Sequence, residues 1–143
     1  MTADDVVVAA RAWLGTPYRH RAAVLGAGCD CLGLLRGVWR TLYRDEPIPV
    51  PNYRADMRDG AHAGELLAAA EMLLVRAEGE LRPGQVVLFQ LRRATAAKHC
   101  GIMVSTTRFI HAQERLGVLE ANLTDGWRGR IAGRYAFPGM VGA

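Results

Sequence analysis

At Arg82-Pro83-Gly84 the hydrophobic period of the chain changes from that of helices to that of strands, and no other feature limits its architecture as much. Upstream, apolar residues recur three and four apart. Downstream, short apolar runs alternate with turn residues: 86–89, 99–105, 108–113, 118–123 and a last short run near 134–137. Helices followed by a run of strands define an α+β chain, with N-terminal helices packed on a C-terminal sheet. The connections at Thr106-Thr107 and Arg115-Leu116-Gly117 are of hairpin length, so the sheet should be antiparallel. At 143 residues and 50% hydrophobic content, residues 1–143 should form one domain. A chain of this size buries roughly two-thirds of its unfolded surface and needs no disulfide or metal staple.

The helical half has three segments. Thr2 and Asp5 form a capping box ahead of Val6, Ala9, Ala10, Trp13 and Leu14, predicting a helix over about 3–14 that Gly15-Thr16-Pro17 stops. Residues 19–29 show no period and read as a loop. Asp30 then caps a second helix whose apolar stripe is Leu34, Leu35, Val38, Trp39 and Leu42. Arg36, Arg40 and Arg44, spaced four apart, lie off that stripe and read as a solvated face. Pro47, Pro49 and Pro51 mark an extended surface crossing over 45–59, followed by an Ala/Leu-rich helix at about 61–75.

Charge and cysteine content exclude several functions. The net charge of +4 is too mild to imply nucleic-acid binding, and no interleaving of aromatic and basic residues supports it. No apolar run approaches the ~20 residues that cross a bilayer, so membrane insertion is not expected. The start, Met1-Thr2-Ala3-Asp4-Asp5, is acidic where a secretory signal is basic, which gives the expectation of synthesis in the cytoplasm without classical export. Cys29, Cys31 and Cys100 are an odd set of reduced thiols. A zinc site built from them and a histidine is disfavoured: Cys-x-Cys is not the usual structural spacing, and Cys100 should point away from the face of its strand that carries His99.

Cys31 is the residue that chemistry singles out. It follows the cap Asp30 and so occupies the first turn of the best helix, where unpaired amides and the helix dipole favour a thiolate and can also hold an oxyanion. Gly33 inside the same turn costs helix stability and implies that another segment passes close by. Among the histidines, alternation puts His99 and His111 on neighbouring strands, 12 residues apart, so that one can orient the other. His62 reads as solvated or capping, and His20 sits in a loop with its role open. Ser105, Thr106 and Thr107 have no companion carboxylate, so a serine triad is not supported.

Five segments in order resemble the NlpC family of papain-like cell-wall cysteine peptidases. Gly15-Thr16-Pro17-Tyr18 is similar to its tyrosine motif and Asp30-Cys31-Leu32-Gly33-Leu34 to its nucleophile motif. Arg82-Pro83-Gly84-Gln85-Val86-Val87-Leu88-Phe89 resembles its first core strand, His99-Cys100-Gly101-Ile102-Met103-Val104 its histidine strand, and Phe109-Ile110-His111-Ala112 the strand after it. Gly28-Cys29-Asp30-Cys31 and the short length look like the cell-wall peptidases of phages and gene transfer agents.

The resemblance implies a papain-like fold with the nucleophile at the N-terminus of a central helix, Cys31 attacking a peptide carbonyl, His99 as general base and acid, and His111 orienting His99. It implies that Tyr18 and Asp30 serve the oxyanion or substrate, with no metal or cofactor. The expected substrate is the peptidoglycan stem peptide, cut at the D-glutamyl-diaminopimelate bond, and the expected partners are phage-like tail or baseplate proteins of a particle that acts in the periplasm. Leu32, Gln85 and Arg19-His20 depart from the family's usual Ser, Asp and glycine-rich pair. The competing reading is a non-catalytic tail-tip adaptor that keeps the fold.

Overall fold

The computed structural model describes residues 1–46, 64–91 and 96–141. Helix α1 (Ala3–Arg11) begins as the capping box requires: the Asp5 amide donates to the Thr2 hydroxyl at 3.3 Å and the Thr2 amide to the Asp5 carboxylate at 2.8 Å. It stops three residues before the expected end. Trp13 and Leu14 keep helical spacing, but their amides bond three residues back, to Ala10 and Arg11, and Gly15 takes a left-handed φ of 84° with its amide on Val118. Trp13 is nevertheless buried, and its ring lies where a side chain on Gly37 would be, 1.9 Å from an added Cβ. A tight turn thus does the packing that a last helical turn would have done.

Residues 19–29 are more ordered than their sequence suggests, because β1 (Ala23–Val24) and β2 (Gly28–Cys29) pair as a small antiparallel hairpin. Helix α2 (Cys31–Tyr43) follows at once, burying Cys31, Leu34 and Val38. The arginines beside its stripe are not simply solvated. Arg36 and Arg40 both pair with Glu46, and Arg40 also donates to the Ala23 carbonyl, tying the helix to the hairpin. Arg44 is exposed at the C-cap. The proline crossing falls mostly outside the described residues, as does the start of the third helix, which runs as α3 (Glu65–Leu73) and gives way to β3 (Val75–Arg76) where the sequence suggested continued helix.

The second half is the expected antiparallel sheet, built from β4 (Val86–Phe89), β5 (His99–Met103), β6 (Arg108–Gln113), β7 (Gly117–Asn122) and β8 (Ile131–Ala136). A four-residue helix α4 (Asp125–Arg128), not expected from sequence, joins the last two. With β3 the order is β3-β8-β4-β5-β6-β7. Alternation sorts the strands onto two faces. Val86, Leu88, Cys100, Ile102, Ile110 and Ala112 pack with α1 and α2 in the main core, whereas Val87, Phe89, Met103 and Phe109 form a second cluster with Leu123 and half-buried Trp127. Each such large side chain, removed from water, contributes roughly 1.5–3 kcal/mol, so both faces are stabilising. Thr2 and Val141 form a parallel bridge, and the Val141 amide donates to Met1 at 2.9 Å.

Candidate active site

The N-terminal tip of α2 is fixed from several directions. Asp30 is 1% exposed, and its carboxylate accepts from the Gly33 amide and the Arg21 amide, both at 2.7 Å. One oxygen therefore caps the helix while the other holds the preceding loop against it. Gly33 shows why it is glycine: an added Cβ would lie 1.8 Å from the Ala22 carbonyl oxygen, so this is the close approach that the sequence implied. Tyr18 is brought alongside by backbone bonds, the Arg19 amide donating to Cys29 and the Cys29 amide to Pro17, each at 3.0 Å. Since Asp30 takes the Gly33 amide through its side chain and the Leu34 amide through its carbonyl, the Cys31 and Leu32 amides remain at the helix tip for a ligand.

Cys31 is 6% exposed. Its thiol is held below the ordinary cysteine range, first by the adjoining Cys100 thiol, then by the nearby His99; burial and Asp30 oppose the shift. Cys100 is pushed well up, because it is hydrogen-bonded to Cys31 and buried, so of the two it is the thiol that keeps its proton. The Cys100 thiol donates to the Cys31 carbonyl oxygen at 3.3 Å, which ties β5 to α2. Alternation correctly separates Cys100 from His99 on the two faces of β5, yet the tip of α2 reaches both.

His99 and His111 meet as the strand pairing predicts, with His99 Nε2 2.8 Å from His111 Nδ1. That leaves Nδ1 of His99 for the thiol. His111 is 1% exposed and is lowered to about 3 by burial and then by the neighbouring His99, so it is neutral at ordinary pH. Tyr18 is half-buried. Burial, followed by the negative charges of Cys31, Asp30 and Glu114, pushes its hydroxyl far above its usual value, so it is a permanent hydrogen-bond donor beside the thiolate. The cluster thus brings together an acidified thiol, two imidazoles in contact and a phenol hydroxyl, groups of the kind that thiol-based nucleophilic catalysis uses.

Other candidates fall elsewhere. Cys29 is fully buried in the main core and pushed up to about 12 by burial, with Asp30 and Cys31 adding to the shift, so it is a protonated filler. His20 Nδ1 lies 3.9 Å from the Asp30 carboxylate, and His62 lies outside the described residues. Ser105 accepts the Thr107 and Arg108 amides and so builds a turn. Among the described residues no three His, Cys, Asp or Glu side chains group as a metal site requires.

Sequence reasoning missed two residues, Cys100 as thiol donor and Trp127 beside the histidines, whose ring centroids lie 5.8 and 5.5 Å from its own. A cysteine directly after a candidate base was the available signal for the first. Nothing local marked the second.

A cysteine at a helix tip facing histidines on an adjoining antiparallel sheet is the architecture of the papain-like fold. The chain belongs to the NlpC/P60 family, whose pattern it matches over residues 15–134. It is 28% identical over 142 residues to the gamma-DL-glutamyl hydrolase of Bacillus subtilis (strain 168), covering 98% of this chain and 31% of that protein. The chain therefore spans less than a third of that relative. Among solved structures, an NlpC/P60 family protein of Bacillus cereus is similar with a TM-score of 0.68 at 19% identity, over 96% of this chain and 40% of that one. The NlpC/p60 domain of the peptidoglycan hydrolase SagA aligns with a TM-score of 0.63 at 16% identity, over 96% of this chain and all of that domain.

Proposed function

We propose that this protein is a cysteine endopeptidase of peptidoglycan stem peptides, cutting at a D-glutamyl-diaminopimelate bond with Cys31 as nucleophile. The observation that carries this is the buried Cys31 thiol at the tip of α2, acidified in part by the nearby His99, whose Nε2 lies 2.8 Å from His111 Nδ1. The names of the relatives, a gamma-DL-glutamyl hydrolase and a peptidoglycan hydrolase, support the substrate class.

The Cys31 thiolate adds to the scissile carbonyl and the carbonyl oxygen takes the charge, facing the amides at the α2 tip and the Tyr18 hydroxyl. As the carbon–nitrogen bond breaks, His99 gives its Nδ1 proton to the departing amine and a thioester remains. His99 then takes a proton from water as the hydroxide adds to the thioester. Collapse of that second adduct breaks the carbon–sulfur bond, releasing the acid and restoring the thiolate and protonated His99. His111 holds His99 in line throughout. We further propose that the enzyme is carried by a phage tail or gene-transfer-agent particle and acts in the periplasm, on the likeness of Gly28-Cys29-Asp30-Cys31 to such peptidases.

The test is digestion of peptidoglycan of known stem-peptide composition by the wild type and by Cys31→Ala, with mass spectrometry of the products. New D-glutamate carboxyl ends and diaminopimelate amino ends from the wild type alone are expected. No cleavage by either protein, with Cys31 alkylated no faster than a free cysteine, would leave the adaptor reading in its place. Recovery of the protein from purified tail particles tests the carrier.

A further inference from the structure

The second ring nitrogen of His111 raises a question that the triad does not answer. Nδ1 faces His99, but Nε2 is buried and has no hydrogen-bond partner among the described residues. Buried polar nitrogens without partners are rare, and each one in a working site needs a reason. The His111 ring is flanked by aromatic rings. Phe109 lies along His111 at 4.5 Å between centroids and 33° between planes, and Trp127 stands nearly perpendicular to it, at 5.5 Å and 77°. Trp127 also lies 5.8 Å from His99 and 4.8 Å from Phe89, so one indole covers both imidazoles.

The chemistry decides which tautomer His111 must have. Once His99 has taken a proton from the thiol or from water, both of its nitrogens carry hydrogen. If His111 also carried its hydrogen on Nδ1, two N–H groups would meet head to head across 2.8 Å. Only a His111 protonated at Nε2 offers a bare Nδ1 to receive the His99 proton. Its Nε2–H must then end against something, and a perpendicular aromatic ring can accept an N–H on its π face. By excluding water, the same ring also strengthens the His99–His111 bond, which is worth more in a low-dielectric setting.

We propose that Trp127 is a positioning residue of this site: its ring covers the His99–His111 hydrogen bond and accepts the Nε2–H of His111, which holds His111 in the tautomer that receives a protonated His99. The role uses what α4 supplies. The Trp127 amide is capped by Thr124, which fixes the start of the short helix, and Arg130 lies 6.0 Å from the indole centroid and braces it. The proposal rests on the peptidase reading only for its kinetic prediction. Its other tests need no substrate.

Nitrogen-15 NMR of the histidine rings in the wild-type chain at neutral pH is the direct measurement. A pyrrole-type Nε2 and a pyridine-type Nδ1 on His111 are expected, and the opposite assignment overturns the proposal. In Trp127→Ala, the His111 signals should move towards a mixture of tautomers. The pH profile of Cys31 alkylation by iodoacetamide should also shift to higher pH, because an unsupported His99 holds the thiolate less well. Asp30, Tyr18, Cys100 and His111, which border the Cys31–His99 pair, and Arg130, which borders the indole, are unchanged in the variant, so the shift reports loss of the ring. Trp127→Phe keeps a cover and a π face and should stay near the wild type on both readouts, which guards against a variant that merely unfolds. On a cleavable peptide, kcat of Trp127→Ala should fall about tenfold with KM changed less than about twofold, as befits loss of one supported hydrogen bond. A fall in kcat with the tautomer and the alkylation profile unmoved would reduce Trp127 to a packing residue and overturn the proposal.

Discussion

The lowered Cys31 thiol owes its acidity to its neighbours, and Cys100 comes first among them. Replacing its thiol with an apolar group of similar size should return Cys31 towards an ordinary cysteine. In Cys100→Val the pH at which iodoacetamide alkylates Cys31 should rise, and once that midpoint lies above pH 6 each further unit of rise removes about tenfold of the thiolate present at pH 6. Cys100→Ser retains a donor and should stay closer to the wild type. An alkylation profile in Cys100→Val identical to that of the wild type would remove Cys100 from the site. This residue shows what sequence can and cannot display. Cys31 was legible because its cap, its helix and its position in the first turn are all local. Cys100 lies 69 residues away, and only the packing of β5 under α2 brings its thiol to the Cys31 carbonyl and so beside the Cys31 thiol.

Among the elements, α2 and the loop before it form one unit, because Gly33 lets the Ala22 carbonyl rest against the helix. Gly33→Ala puts a methyl group into that contact, which backbone cannot yield without moving the loop. Overpacking of this kind costs typically about 1–3 kcal/mol. Thermal unfolding should show that loss, and Cys31 reactivity should fall with it as the Arg21 amide separates from Asp30. Unchanged stability and reactivity would mean that the contact is dispensable. The glycine was readable as a sign of close approach, whereas the hairpin that makes the approach was not. β1 and β2 have two residues each, too few for alternation to register. Likewise α4 is a four-residue helix with no buried residue, so no hydrophobic period announced it or the tryptophan it carries. The longer strands were legible, β6 at both ends, because several alternating residues vote for the same face.

At the scale of the whole molecule, the neutral, buried His111 links stability to pH. Its value in the fold, lowered to about 3, lies below the roughly 6.5 of an exposed histidine, so between these values the unfolded chain binds a proton that the folded chain refuses. Stability is therefore undiminished above about pH 6.5 and falls as pH drops from there towards 3, by at most ~1.4 kcal/mol per unit from this one group. Urea unfolding from pH 7 to pH 4 should show the decline, and His111→Gln should flatten part of it. Equal slopes for the two proteins would mean that other groups dominate. The bridge between Thr2 and Val141 has a separate consequence. A short linker joining Thr2 to Val141, with a new opening cut at the exposed turn of Arg115 and Leu116, would rearrange the order of these residues and leave the neighbours of Cys31 in place. The domain can also be inserted whole into a loop of another protein, since its entry and exit points already stand side by side.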